Sequence, residues 1–192
     1  EFLRGELLGG RLDVSGPVTF DPQPAWDLRI AAQGIDPSPF LPDLAGPVEA
    51  TLGTRGQLDA QGAPSADVQI DALRATAAGF PLELSGALQV EGEELQVAGL
   101  MLRSGASELQ TDGTLSARHL DLNWALAVAD AGSFAPGARG RIDGEGRVTG
   151  SPEAPRAVAS LAATALAMDA LTVESLSLEL DAGLGEDAPL VL

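Results

Sequence analysis

Apolar side chains fall on every second position through most of this chain. Leu120, Leu122, Trp124, Leu126 and Val128 form an unbroken run of five, separated by Asp121, Asn123, Ala125 and Ala127. Trp26, Leu28 and Ile30 alternate with Asp27 and Arg29, and Leu12 and Val14 flank Asp13. Val18 and Phe20 flank Thr19, and Val68 and Ile70 flank Gln69. Leu82 and Leu84 enclose Glu83, Leu88 and Val90 enclose Gln89, and Leu95 and Val97 enclose Gln96. Leu176, Leu178 and Leu180 alternate with Ser177 and Glu179. A period of two gives an extended segment one apolar and one polar face, so these runs predict half-buried strands.

The punctuation argues against helices. Twenty-three Gly and thirteen Pro leave few stretches long enough for one. Residues 156–182 are the main exception, and the alternation from Thr172 to Leu180 assigns them to strands. One short helical turn is expected over 38–44. Glu91-Gly92-Glu93-Glu94 and Thr111-Asp112-Gly113-Thr114 read as hairpin corners, and Ser151-Pro152-Glu153-Ala154-Pro155 as a loop. The expected fold class is all-β, with thirteen to fifteen strands.

The chain resembles itself at an offset of 98. Residues 26–34 overlie 124–132 without a gap, matching both tryptophans, the leucines, Ile30 with Val128, and Gly34 with Gly132. Further on, Gly46-Pro-Val48-Glu-Ala50 aligns with Gly140-Arg-Ile142-Asp-Gly144. About two repeat units are expected, approximately 1–97 and 98–192. Units of this kind bury their edges on neighbouring repeats, and the pattern reads as an internal fragment of a longer array.

Composition narrows the function. Twenty-eight acids against eleven arginines give a formal charge of −17, with a pI near 4.1 and no lysine. Nucleic-acid binding is excluded, because it needs a basic stripe to neutralise phosphates. Without cysteine there is no disulfide or thiolate metal site. An apolar content of 45% and a mean hydropathy of +0.12 are too high for disorder. Only seven residues are aromatic, so the apolar surface is aliphatic and suits a thin or open structure.

Catalytic chemistry is not expected. His119, the sole histidine, reads as an exposed residue at a strand start rather than as a base. Gly144-Glu-Gly146-Arg-Val-Thr-Gly150 has dinucleotide-loop spacing, but Ser151-Pro152 follows where a phosphate-binding helix would begin. Glu91, Glu93 and Glu94 lack the spacing of a calcium loop and read as a solvated turn. No cofactor or metal is expected, and the chain is not read as an enzyme.

Gly140-Arg-Ile-Asp-Gly-Glu-Gly-Arg-Val-Thr-Gly150-Ser-Pro-Glu-Ala-Pro-Arg-Ala-Val-Ala-Ser-Leu161 resembles the repeat of the TamB family. The segments 26–46 and 100–115 resemble it as well, and AsmA-like proteins share the pattern. The resemblance implies an inner-membrane-anchored protein extending across the periplasm of a diderm bacterium. It implies an elongated, curved β-sheet, a taco-shaped half-pipe with an apolar concave face. It also implies a TamA-like outer-membrane partner, outer-membrane biogenesis and phospholipid movement between membranes.

Joined to the alternation, this yields a mechanism. The alternating aliphatics named above line a groove for phospholipid acyl chains, along strands stacked at ~4.8 Å. The alternatives are a chaperone-like scaffold that holds outer-membrane protein strands by β-augmentation, and a spacer with a filled core.

Overall fold

The computed structural model describes residues 2–39, 46–77, 79–133, 137–168, 171–183 and 190–191. The short helical turn expected over 38–44 falls largely outside these. The fold is all-β and antiparallel. The strands are β1 (Phe2–Leu7), β2 (Gly10–Ser15), β3 (Val18–Thr19), β4 (Ala25–Ile35), β5 (Val48–Leu58), β6 (Pro64–Ala77) and β7 (Phe80–Glu91). They continue as β8 (Glu94–Ser104), β9 (Ser107–Ser116), β10 (Leu120–Val128), β11 (Ala138–Ser151), β12 (Ala154–Met168), β13 (Leu171–Gly183) and β14 (Leu190–Val191). A 3-10 turn at Ala131–Ser133 is the one helical element among the described residues, and none is long and apolar enough to cross a membrane.

Two compact units are present, Glu1–Leu102 and Arg103–Leu192. In the first, strands follow chain order as β1-β2-β4-β5-β6-β7-β8, with β3 pairing β4. In the second the order is β9-β10-β11-β12-β13-β14. Each strand touches its ladder neighbours, and the 3-10 turn packs on β11. Within either unit, no second layer covers the sheet among the described residues. The burial agrees: among the described residues no large side chain is fully enclosed, and only Ala182, at 1% exposure, comes to that. The most buried apolar residues are Ile70, Val97 and Val128 with six alanines.

An uncovered sheet keeps its apolar residues on one side only if the alternation never slips, because a one-residue slip turns the rest of the strand over. The sequence slips repeatedly. In β4 the apolar positions run 26, 28, 30, 32 and then 35; in β6 they run 68, 70 and then 73, 75, 77; in β8, 95, 97 and then 100, 102. A bulge absorbs the slip in β4 and β6. Ala32 and Ile35 of β4 pair with Ala50 and Val48, three steps against two, with Gly34 left-handed at φ 67°. Ile70 and Leu73 of β6 pair with Gly86 and Leu84. The slip in β8 falls at Gly99, where φ is 57°. β5 and β7, which carry no slip, carry no bulge of their own. In the second unit the extra residue is Ala165 of β12, with φ 51°. Each bulge bends its strand and sharpens the local twist.

Two expectations need correction. Asp112-Gly113 is no corner, because it lies inside β9. Gly113 pairs with Leu122 at φ 142°, and a Cβ there would strike the Asp121 carbonyl oxygen, so this glycine serves close strand approach. The 151–155 loop is only a Pro152-Glu153 turn, since Pro155 already lies in β12 opposite Gly150. Pro155 stands at the start of β12, one residue in from Ala154, where a missing N–H is tolerated.

The bulge in β6 is testable by deletion. Removing Asp71 leaves Ile70-Ala72-Leu73 in unbroken alternation, so every side chain keeps its side of the sheet. Removing Gln69 instead turns Ile70 outward and Asp71 onto the aliphatic side. Thermal unfolding is expected to find the second deletion less stable by about 2–4 kcal/mol. Equal stability of the two would refute this account of the bulge.

Candidate functional site: the aliphatic side of each unit

Residues paired directly across an antiparallel ladder project to the same side. In the second unit, Leu122 pairs with Gly113 on one flank and Val148 on the other, and Val148 with Ala157 and then Ala182. The next row is Thr111, Trp124, Gly146, Ala159 and Leu180. Beyond it run Leu109, Leu126, Gly144, Leu161 and Leu178, then Val128, Ile142, Ala163 and Leu176. No ionisable residue occupies these rows. The other side carries Asp112, Asn123, Arg147, Val158 and Asp181 in one row and Gln110, Ala125, Glu145, Ser160 and Glu179 in the next.

The same partition holds in the first unit. Val14, Ile30, Leu52 and Ile70 form a row, continued by Gly86. Leu28, Thr54, Val68 and Leu88 form another, and Trp26, Gly56, Ala66 and Val90 a third. Past the β6 bulge, Leu73 pairs with Leu84 and Ala75 with Leu82.

Both tryptophans pair with glycine, and the reason is steric. A Cβ on Gly146 would lie 2.7 Å from the Trp124 ring and 2.6 Å from the Val158 carbonyl oxygen. A Cβ on Gly56 would meet the Trp26 ring at 2.5 Å. Each indole lies flat where its neighbour has no side chain, covering backbone that would otherwise be bare. The Trp26 Nε1–H donates to Thr54 Oγ1 at 3.1 Å, which satisfies the one polar atom the ring carries.

On the polar side, acids and arginines pair across strands. Arg55 donates to Asp27 through Nε at 3.0 Å and Nη2 at 2.7 Å. Arg147 clasps Asp121 at 2.7 and 2.6 Å, and Arg156 clasps Asp181 at 2.7 and 2.5 Å. These hydrogen bonds hold the Asp121 and Asp181 carboxyls below their ordinary 3.8, with the arginine charges adding to the effect. The discrete hollows also open on this side. One of about 960 Å³ lies over Asn123, Ala125, Glu145, Arg147, Ser160 and Glu179, and one of about 460 Å³ lies over Asp27, Arg55, Gln57 and Asp67. Short residues set among long charged ones make these hollows.

The model for the N-terminal domain of TamB matches residues 1–188. The chain belongs to the TamB family. No curated protein and no solved structure matches it.

Within this TamB chain, the expected lining residues fall as follows. Leu12, Val14, Trp26, Leu28, Ile30, Val68, Ile70, Leu82, Leu84, Leu88 and Val90 share one side of the first unit. Leu120, Leu122, Trp124, Leu126, Val128, Leu176, Leu178 and Leu180 share one side of the second. Leu95 is half-buried and Val97 buried in β8, and Val18 pairs with Trp26. Phe20 lies beyond β3, outside the ladder, and is 78% exposed. Leu52, Leu73, Leu109, Ile142, Val148 and Leu161 join the same sides although the alternation did not single them out. Glycine at 144 and 146 hides the rhythm of β11, since it occupies apolar positions without being apolar. His119 is exposed just before β10, and its backbone N–H donates to Ser116 Oγ at 3.0 Å.

Two outcomes are expected. Gly146→Ala is expected to cost about 1–3 kcal/mol in chemical denaturation, because the Val158 backbone oxygen cannot yield. Gly144→Ala costs less, since its obstacle is the movable Leu161 Cδ2. As for pH, carboxyl pKa values lowered by folding add stability above the unfolded value of ~3.9, and that stability is lost as pH falls through the folded value. Arg147→Met is therefore expected to lower the melting temperature slightly at pH 7, with the deficit shrinking as the pH is taken down through the acid range. A deficit independent of pH would overturn the assignment.

Proposed function

We propose that this chain is a periplasmic segment of a lipid-conducting bridge between the inner and outer membranes. In this reading it serves the TamB-type role in outer-membrane assembly, with a TamA-like protein as the outer-membrane partner. The full-length protein is anchored in the inner membrane, and neighbouring repeats extend the same sheet. Acyl chains lie along the aliphatic side, which forms the concave face of the half-pipe, and headgroups stay in water.

The observation that carries the reading is the uncovered aliphatic side of each unit. It is free of ionisable groups on every paired row and has no second layer among the described residues. Each methylene removed from water gains ~0.8 kcal/mol, so a sixteen-carbon tail gains roughly 12 kcal/mol from shelter. An even aliphatic surface supplies that shelter at every point along its length. Tight receptors instead use concave pockets with a few placed polar groups.

Leu126 pairs with Leu109 and Gly144 near the middle of the aliphatic rows. Leu126→Arg places a charge there. With folding retained by circular dichroism, photocrosslinking of phospholipid to the variant is expected to fall at least tenfold. Crosslinking at the wild-type level would refute conduction. Crosslinking of unfolded outer-membrane protein strands to β1 or β13 in place of lipid would favour the strand-holding scaffold.

A further inference from the structure

We infer that the second unit holds a diacyl phospholipid in one orientation, with its phosphate at Arg118 and an ester carbonyl on the Trp124 indole N–H. This rests on the conduction reading and adds to it a place where the lipid pauses. The two tryptophans differ in what their N–H groups do. Trp26 Nε1–H donates to Thr54 Oγ1 at 3.1 Å, on the residue that pairs with Leu28. The matching position in the second unit, opposite Leu126, is Gly144, which has no side chain to accept. Trp124 is half-buried, and its Nε1–H has no hydrogen-bond partner among the described residues and is not sealed from water.

The ring also has a direction. A Cβ at Gly144 would lie 3.4 Å from Trp124 Cζ3, and one at Gly146 would lie 2.8 Å from Cε2, the carbon that carries Nε1. Nε1 is therefore at the end of the indole turned away from Gly144, towards the row of Leu122 and Val148. Only the row of Leu115, Leu120 and Gly150 stands between that one and the margin formed by the β9–β10 and β11–β12 connections. Arg118 is exposed in the first connection and makes no ion pair among the described residues, whereas Arg147 and Arg156 are held by Asp121 and Asp181. Glu153 is the one acid in the second connection.

A phosphate cannot be desolvated onto an aliphatic surface, so a headgroup stays at the margin while its tails lie on the rows inside. Leu120 to Trp124 is ~13 Å of strand, which the Arg118 stem and the glycerol unit span between them. The ester carbonyls are the good acceptors that a phospholipid carries between phosphate and tails. A lipid lying here strips water from the Nε1–H. A carbonyl restores the lost bond, and an ether oxygen, a poorer acceptor, does not. The Thr111 hydroxyl, paired across from Trp124, is the other side-chain donor on this row.

Trp26→Phe and Trp124→Phe each leave a single indole to report on its own unit by fluorescence, with folding checked by circular dichroism. Each chain is titrated with a short-chain diacyl phosphatidylcholine and with its dialkyl ether analogue, both below the concentration at which micelles form. With Trp124 reporting, the diacyl lipid is expected to bind about three- to tenfold more tightly. With Trp26 reporting, whose N–H is taken by Thr54, the two lipids are expected to bind equally. Arg118→Gln, added to the Trp26→Phe chain, is expected to weaken both lipids about threefold and leave their ratio unchanged. Equal affinity at Trp124 overturns the ester contact and leaves conduction standing. A preference of the same size at Trp26 overturns the assignment to Trp124, and undiminished binding after Arg118→Gln overturns the orientation. No response of either indole to either lipid overturns conduction together with this inference. The wild-type chain needs no substitution: incubated with vesicles of equimolar diacyl and dialkyl phosphatidylethanolamine and then extracted, it is expected to return the diacyl lipid in excess, and equal recovery overturns the ester contact.

Discussion

Everything in this chain depends on holding apolar side chains to one side of a sheet that has nothing packed against it. In a sandwich, a residue that faces the wrong way is caught by the second layer or expelled by it. Among the described residues no such layer exists within either unit, and the pleat itself sorts the side chains. A slip of one residue would bring Ala72 and Arg74 onto the side that Leu73 and Ala75 occupy. The bulges at Gly34 and in β6, and the unusual backbone at Ala165, are where that constraint becomes visible. Each stands where the sequence shifts its apolar residues from even to odd positions or back. They are corrections built into the pattern, and the bends they introduce come with them.

The same constraint explains why glycine and tryptophan occur together. A sheet without a second layer has no facing side chains to fill the gaps between its own. Trp26 and Trp124 fill them laterally, lying over Gly56 and Gly146. Six of the nine most buried apolar residues are alanines, because burial here means being overlain by a neighbour in the sheet rather than being enclosed. Leu176 and Leu178 of β13 remain 51% and 37% exposed. The polar side needs no such filling. It is held by cross-strand pairs such as Arg55–Asp27, which are exposed, screened and individually weak.

Much of this was legible in the sequence, and the failures share a cause. The run Leu120 to Val128 announces its strand and its apolar side by alternation alone, as do Trp26 to Ile30 and Leu176 to Leu180. Asp112-Gly113 reads as a corner because an Asp-Gly pair serves turns far more often than strand interiors, and only the Asp121 carbonyl reveals what the glycine is for. Pro155 reads as loop because proline is depleted in strands, yet it stands at the start of β12, where a missing N–H is tolerated. The repeat alignment that matched Val48 with Ile142 also differs from the ladder. There Leu52 faces Ile30 as Ile142 faces Val128, four residues further on. Local alternation is written in the chain, whereas partner, register and bulge are properties of two strands at once.

The hollows on the polar side sharpen what the aliphatic side is suited to. A hollow of about 960 Å³ has a definite place, bounded by Glu145, Arg147 and Glu179, and a ligand there would be held at that place. The aliphatic rows are built mainly of Leu, Val, Ile, Ala and Gly, with one tryptophan in each unit, and carry no charged group that would fix a ligand at one point. For a molecule that must move, the relevant quantity is the variation of its binding energy along the path and not the depth of any one site. At ~0.8 kcal/mol per methylene, a tail displaced by one strand loses and regains comparable contact, so the barrier to sliding stays far below the roughly 12 kcal/mol of full exposure. A charged side chain on those rows would set such a barrier by itself, and none stands on any of them.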